Sequence, residues 1–97
     1  MMFVWDAGKA ARNQKKHGVS FDEARSVFSD AEGLLIPDPE HSSQEERFLL
    51  LGMSFRLRIL VVVHCEREEQ GDDLVLRIIS ARKATGSEAA QYGRGHR

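Results

Sequence analysis

The chain has 97 residues, of which 41% are hydrophobic and 30% are charged, and this length and composition indicate one globular domain over residues 1–97. Its longest apolar run, residues 59–63, is far too short to cross a bilayer, so we expect no membrane partner. The start of the chain lacks the pattern of a secretory signal, and Cys65 has no second cysteine to pair with. These features predict a cytoplasmic protein.

The formal net charge is −1, but the charges are unevenly distributed along the chain. Residues 21–46 carry eight acidic side chains against Arg25 alone. The segments on either side of them, residues 1–20 and 47–67, are basic, and so is the part of the chain after residue 74. A chain that segregates its charges in this way can present a basic face although its net charge is near zero.

The first elements follow from local signals. Residues 3–5, Phe-Val-Trp, are aromatic and β-branched and predict a short strand. Asp6 is a good N-cap for the helix-forming stretch "AGKAARNQKKH". Gly18 suits the left-handed position after the end of that helix.

A second helix is predicted to begin at once. Ser20 and Glu23 have the spacing of a capping box, and the apolar spacing that follows extends the helix to about Ser29. The two helices could form a helix-turn-helix that binds DNA. However, Asp22 and Glu23 lie at the end that would approach the phosphates, and their charge opposes that interpretation.

The second half of the chain is rich in strands. Residues 34–36 predict a short strand that Pro37 and Pro39 end in an acidic loop. Three further strands are indicated by "RFLLLGM", "RLRILVVVHCER" and "DLVLRIISARK", and the last two should form an antiparallel hairpin around an acidic turn. A final helix follows with Thr85 or Ser87 as its N-cap, and residues 93–97 are expected to fray. The order β-α-α-β-β-β-β-α predicts an α+β fold with helices packed on a small antiparallel sheet.

The hairpin register can be predicted from the centre of its turn. That register places His64 opposite Arg77, and Arg58 opposite Lys83. Leu57, Ile59, Val61 and Val63 would then form a core face together with Leu74, Leu76 and Ile78. The other face would be half apolar and carry basic side chains, so both faces of the sheet need cover; a one-residue slip would exchange the two faces.

Several segments, in this order and spacing, resemble one known family. They are "WD", "KHGVSFDEA", "EERFLLLG", "LVVVHCER" and "LRIISARKAT", followed by a glutamate and a tyrosine. Over residues 3–92 the chain resembles the BrnT toxins of bacterial type II toxin–antitoxin systems. Its most distinctive parts are Lys-His-Gly-Val-Ser-Phe and Arg-Ile-Ile-Ser-Ala-Arg.

This resemblance implies a fold similar to that of the RelE ribonuclease toxins, and an activity that cleaves RNA and stops translation. It also implies neutralisation by a DNA-binding antitoxin of the BrnA type. Toxin and antitoxin would form a 2:2 complex that binds operator DNA through the antitoxin. The acidic segment before residue 47 could contact a basic stretch of that antitoxin. No cofactor is expected.

Metal-free RNA cleavage needs a base for the 2′-hydroxyl proton, cationic donors for the phosphate and an acid for the leaving 5′-oxygen. Arginine suits the phosphate because its guanidinium fork binds two oxygens at once. We therefore take Arg77 and Arg82 as catalytic candidates, with His17 and Glu88 for proton transfer. His17 also has a purely structural explanation, as a histidine at a helix C-terminus.

A second set of residues is predicted to bind the RNA without reacting with it. The set comprises Lys16, Arg47, Arg58, His64, Arg67, Lys83 and Tyr92. The alternative is that the strand arginines pair with internal glutamates, Glu45, Glu46, Glu66 or Glu88, in a non-catalytic protein-interaction module. Trp5 could stack on a base but packing in the core is favoured, and Cys65 is interpreted as a small buried residue. His41 and His96, in a loop and in the tail, are given little weight, and no spacing typical of a metal site is present.

Overall fold

The computed structural model describes residues 1–41, 45–69 and 73–94, and these residues form eight helices and strands and two short 3₁₀ turns. In chain order the elements are β1 (Met2–Val4), α1 (Ala7–His17), α2 (Phe21–Ser26), a 3₁₀ turn (Val27–Ser29), β2 (Leu34–Pro37), a 3₁₀ turn (Pro39–His41), β3 (Glu46–Met53), β4 (Ile59–Glu68), β5 (Leu74–Lys83) and α3 (Gly86–Arg94). The predicted order of elements is confirmed. Within the described ranges no helix is long and apolar enough to cross a membrane.

The five strands form one sheet in the order β1-β5-β4-β3-β2. The contacts of β2 with β3, β3 with β4, and β4 with β5 are antiparallel. The prediction of a purely antiparallel sheet is wrong, because β1 pairs with β5 in parallel. The three residues of β1 join the outer edge of a strand that is distant in sequence, and local patterns do not reveal the direction of such a pairing.

The predicted register of the β4–β5 hairpin is also wrong. His64 lies opposite Ile78 rather than Arg77, and Lys83 lies opposite Leu60. Arg58 precedes β4 and has no partner position in it. The register shifts between Val63 and His64, where β5 holds one more residue than β4, as in a β-bulge. A prediction from a symmetric turn cannot anticipate a bulge in mid-strand.

Both faces of the sheet pack against helices, as expected. The residues of each core differ from those predicted from the β4–β5 register. The larger core lies under α1 and α2 and includes Phe21, Leu60 and Val62. Trp5 packs against this core, as favoured from the sequence. Leu57, predicted to lie inside, is 79% exposed in the turn before β4. Of the α2 residues, Phe21 and Ala24 pack into this core, while Asp22, whose charge opposes the helix-turn-helix interpretation, is exposed.

The smaller core lies on the opposite face of the sheet. There Tyr92 of α3 packs against Leu51 and Val61. Because α3 is only nine residues long, it covers one part of this face. The same face carries Arg77 and Arg82.

Asn13 fixes α1 to the edge of the sheet beyond the end of β1. Its side-chain amide donates to the carbonyl oxygens of Val19 and Ala81, at 2.9 Å in both cases, and accepts from the backbone N–H of Ala81 at 3.0 Å. The amide thus satisfies both backbone groups of Ala81, as a neighbouring strand would, and it is 5% exposed. This contact brings the N-terminal part of α1 beside β5.

The helix caps agree with the sequence, with one informative difference. Asp6 accepts from the N–H of Lys9, and Gly18 has a φ of 69°, in the left-handed region. Ser20 accepts from the N–H of Glu23, which is half of the predicted capping box. The Glu23 carboxylate does not return to Ser20 but binds Arg58, as described below.

Gly52 marks the closest approach between β3 and the 3₁₀ turn that follows α2. A Cβ added there would lie 2.8 Å from Val27 Cγ1 and 3.2 Å from Asp30 Oδ2. We expect Gly52→Ala to lower the free energy of unfolding by about 1–3 kcal/mol, through overpacking. Urea denaturation followed by circular dichroism measures this.

The matched control is Gly93→Ala in α3, where an added Cβ meets nothing within 4 Å. Alanine suits a helix better than glycine, so this change should stabilise the protein by about 0.5–1 kcal/mol. Equal effects of the two substitutions would contradict the packing described for Gly52.

Candidate active site

Two arginines of β5 lie on the face of the sheet that α3 partly covers. Arg77 is opposite Cys65, which in turn is opposite Arg47 on β3, so these three residues form a row across three strands. Arg82 is opposite Val61, against which α3 packs. The two rows are four positions apart along β4, from Val61 to Cys65, which corresponds to about 13 Å. The two arginines share a face because β5 has one extra residue between them, whereas the register predicted from the sequence grouped Arg77 with Lys83 and not with Arg82.

A pocket of about 260 Å³ opens at the first row. Its lining comprises Lys9, His41, Glu45, Arg47, Cys65, Arg77 and Ile79. Two arginines and a lysine oppose one carboxylate, so the pocket carries a positive charge even with its histidine neutral. We call it the Arg77 pocket.

The centre of the pocket is an ion pair between Arg77 and Glu45. Arg77 Nη2 donates to Glu45 Oε1 at 2.5 Å, and this hydrogen bond raises the pKa of the arginine further. The side chains remain 41% and 24% exposed, so a ligand can reach both of them. Arg77 also lies 3.8 Å from the Cys65 sulfur. Burial raises the pKa of that thiol, which keeps it neutral and argues against a nucleophilic role, as the sequence indicated.

His41 enters the pocket from the loop between β2 and β3. Its Nδ1 lies 3.0 Å and 3.1 Å from the two carboxylate oxygens of Asp38. Asp38 is held beside β3, since its N–H donates to the carbonyl of Arg47 at 2.9 Å and its Oδ2 lies 3.8 Å from Arg47 Nε. The sequence interpretation gave His41 little weight because it lies in a loop. The signal that could have found it is the spacing of Asp38 and His41, with Arg47 at the start of the next strand.

Lys9 and Glu45 are the charged pocket residues that were not among the candidates. Lys9 reaches the pocket because Asn13, one turn further along α1, fixes that helix to the edge of β5. The position of Lys9 depends on this long-range contact, which no local pattern reveals. From the sequence, Glu45 was considered only as a partner for an arginine, and in the structure it pairs with Arg77.

A second basic cluster lies in the row of Arg82. Its guanidinium makes two parallel hydrogen bonds to Glu88 of α3, with Nη1–Oε1 at 2.7 Å and Nη2–Oε2 at 3.0 Å. Glu88 also accepts from the N–H of Thr85, whose hydroxyl accepts from the N–H of Glu88 in return. This is a complete capping box, and it shows that Thr85 rather than Ser87 is the N-cap.

The hydrogen bonds of Glu88 decide whether it can transfer a proton. The hydrogen bonds from Arg82 are the main reason why the pKa of Glu88 falls from 4.5 to about 2. A carboxylate with so low a pKa is a weak base near neutral pH, and it holds no proton to donate. The geometry therefore favours a role in orienting Arg82 over the proton transfer expected from the sequence.

The lowered pKa predicts a pH dependence of stability. Because the folded-state pKa lies below the unfolded value, the contribution of Glu88 is present above about pH 4.5 and is lost as the pH falls towards about 2. We expect the free energy of unfolding of the wild type to fall more steeply across this window than that of Glu88→Gln. Urea denaturation at several pH values measures both. The exposed Glu68→Gln serves as the control, and a Glu88→Gln profile parallel to the wild type would contradict the assignment.

Tyr92 and Lys83, both expected to bind RNA, have different surroundings. Tyr92 is 8% exposed, and its hydroxyl donates to Asp30 Oδ2 at 2.6 Å. Burial is the main cause that raises the pKa of Tyr92 to about 12. Tyr92 thus joins α3 to the sheet rather than presenting a surface to RNA. Lys83 is exposed at the end of β5, next to Arg82.

Arg58 and His17 lie near the junction of α1 and α2, away from the Arg77 pocket. The 2% exposed carboxylate of Glu23 binds both Arg58 and the Ser54 hydroxyl. Arg58 also donates to the Gly18 carbonyl at 3.0 Å. Because its main partner is the buried Glu23, Arg58 has a structural role and is not favoured as an RNA contact.

His17 and Lys16 end α1, and His17 lies eight residues from Lys9, or about 12 Å along the helix axis. The structure does not bring His17 to Arg77 or Arg82.

His64 and Arg67 complete the predicted set. His64 is completely buried between Phe28 and Phe48, and its Nε2 lies 2.9 Å from Glu66, so RNA cannot reach it in this fold. Arg67 pairs with Glu69 at 2.6 Å and borders a surface pocket that several glutamates line. Phosphate would be repelled there. Of the predicted strand residues, Arg47, Arg67, Arg77 and Arg82 share one face, but Arg67 does not line the Arg77 pocket, and His64 is buried on the other face. His96 lies outside the described residues.

Within the described ranges, no three His, Cys, Asp or Glu side chains are grouped so that they could hold a metal ion.

A comparison with protein families matches residues 5–88 to the family described as ribonuclease toxin, BrnT, of type II toxin–antitoxin system. A search of curated proteins found no match. The family match covers most of the chain, including both basic clusters and the Asp38–His41 loop. The chain therefore belongs to the BrnT family of ribonuclease toxins of type II toxin–antitoxin systems.

Proposed function

We propose that the chain is a metal-independent endoribonuclease toxin whose RNA-cleaving site is the Arg77 pocket. The single observation that carries the proposal is the row of Arg47 and Arg77 across the sheet, with Lys9 at its edge. Cationic donors held by strands are pre-organised, and such donors stabilise the extra negative charge of a phosphate under attack. Family membership supports RNA as the substrate.

In this proposal RNA replaces Glu45 as the partner of Arg77. The exposed fork of Arg77 binds two oxygens of the scissile phosphate, while Arg47 and Lys9 add charge at the same place. Breaking one ion pair at the surface costs little, since exposed pairs contribute about 0–1 kcal/mol. Glu45 is then released beside the substrate.

Arg82 would bind a neighbouring part of the RNA backbone. Its guanidinium is 40% exposed and its orientation is fixed by both oxygens of Glu88. The distance of about 13 Å between the two rows makes simultaneous contact with one phosphate unfavourable. We therefore assign Arg82 to RNA binding along the same face of the sheet, whereas Lys83, opposite Leu60 of the larger core, lies on the other face.

We propose the following context for this activity. The toxin acts in the cytoplasm, stops translation by cutting RNA and has a fold of the RelE type. A BrnA-type antitoxin neutralises it in a 2:2 complex that binds operator DNA through the antitoxin. Membership of a type II toxin–antitoxin family supports a protein antitoxin, and the acidic segment before β3 would complement basic residues in that partner.

One observation favours the alternative of a non-catalytic interaction module. Arg77, Arg82 and Arg58 each pair with a glutamate, as that alternative predicts. Inducible expression in bacterial cells distinguishes the two. The toxin should rapidly stop amino-acid incorporation before thymidine incorporation and create new mRNA ends, seen by primer extension. Normal incorporation and intact mRNA, with well-folded protein and no antitoxin present, would refute the nuclease and favour the interaction module.

A further inference from the structure

We propose that His41, oriented by Asp38, is the general base of the cleavage reaction. This inference rests on the proposed function, because it assigns proton transfer within the Arg77 pocket. Histidine is the side chain best suited to gaining and losing a proton near neutral pH. No other histidine of the described residues lines this pocket.

The geometry matches that of a base held by a third group. Asp38 occupies Nδ1 of His41 at 3.0 Å, so Nε2 is the ring nitrogen left for proton transfer. Asp38 is itself fixed by the backbone of β3 and is 20% exposed, whereas His41 is 59% exposed. A substrate in the pocket can therefore reach the imidazole while the carboxylate behind it stays in place.

The charges around His41 suit this role. Asp38 lies in the same loop as His41, Glu45 just before β3 and Arg47 in β3. Lys9 lies in α1, Cys65 in β4 and Arg77 in β5. The arginines and the lysine would hold a phosphate beside the imidazole. Asp38 would stabilise the imidazolium that forms when the ring accepts a proton.

The proposed reaction transfers the phosphorus from the 5′-oxygen to the 2′-oxygen. His41 Nε2 takes the proton of the 2′-hydroxyl, and the 2′-oxygen forms a bond to phosphorus. The bond between phosphorus and the 5′-oxygen breaks, and the leaving oxygen takes a proton from water. The products are a 2′,3′-cyclic phosphate, a 5′-hydroxyl and an imidazolium that returns its proton to solvent. Arg77 stabilises the charge on the phosphate throughout.

The test compares purified wild type, His41→Ala, Asp38→Asn and Glu40→Ala on one RNA that the wild type cuts. Glu40 is the matched control, since it is exposed in the same 3₁₀ turn but does not line the pocket. We expect His41→Ala to lower the cleavage rate about 100- to 10,000-fold, the usual contribution of a general base. Asp38→Asn, a positioning change, should lower kcat more than it raises KM, and Glu40→Ala should behave as wild type.

Two further readouts separate chemistry from structure. Added imidazole should restore part of the activity of His41→Ala, and that variant should bind an uncleavable RNA with a 2′-deoxy sugar as tightly as the wild type does. Cleavage by His41→Ala at the wild-type rate would overturn the proposal. So would a loss that imidazole does not rescue and that matches weaker binding of the 2′-deoxy RNA. If the wild type cuts no RNA, the proposed function itself fails, which is a different result.

Discussion

Arg77→Ala should abolish toxicity and lower the rate of RNA cleavage about 100- to 1,000-fold, which is the usual effect of removing one donor to a developing oxyanion. The change removes the fork at the centre of the pocket and leaves the Glu45 carboxylate there without its partner. Phosphate would then meet a negative charge where it met a positive one. The measurement is the single-turnover cleavage rate of purified protein, with circular dichroism to show that the variant is folded.

Arg67→Ala is the matched control, because it also removes a strand arginine that pairs with a glutamate, but outside the pocket. It should retain wild-type cleavage. Arg77→Lys should be intermediate, since the charge remains while the two-pronged contact is lost. Equal losses for Arg67→Ala and Arg77→Ala would mean that only overall charge matters, and the assignment of the pocket would be wrong.

Asn13→Ala should lower the free energy of unfolding by about 3 kcal/mol. The side chain makes three hydrogen bonds to backbone groups and is 5% exposed. Its removal leaves those buried groups unsatisfied, at about 1–3 kcal/mol for each group that water cannot reach. For a domain of this size the melting temperature should fall by about 12–24 °C.

Asn13→Asp tests the direction of these bonds. A carboxylate could still accept from the N–H of Ala81. It would also face the two carbonyl oxygens to which the Asn13 amide donates in the wild type, and it has no hydrogen to give them. We expect Asn13→Asp to be at least as unstable as Asn13→Ala, while the exposed neighbour Gln14→Ala stays close to wild type. A stable Asn13→Asp would show that the amide does not satisfy the edge of β5.

The sequence predicted those parts of the fold that depend on neighbours along the chain. The cap at Asp6 and the left-handed Gly18 need only a few adjacent residues, and the structure confirms both. The direction of β1 and the register of β4 with β5 depend on distant pairings and on one extra residue in β5. No local pattern carries that information.

The same division holds for the candidate site. Arg77 and Arg82 could be selected because an arginine in an apolar strand needs an anionic partner, and the structure supplies Glu45 and Glu88. His41 was undervalued because a loop histidine has no pattern of its own. Its environment arises only when the β2–β3 loop folds beside β3, and Lys9 likewise depends on the anchoring of α1 to β5.

The most direct test of the central claim is the chemistry of the RNA ends left by the purified protein. The protein is incubated with RNA in excess EDTA, with and without ribosomes, and the ends are identified by mass spectrometry. We predict cleavage in the presence of EDTA that leaves 2′,3′-cyclic phosphates and 5′-hydroxyls. Cleavage that stops in EDTA, ends that carry 5′-phosphates, or intact RNA in both conditions would contradict a metal-independent nuclease at the Arg77 pocket.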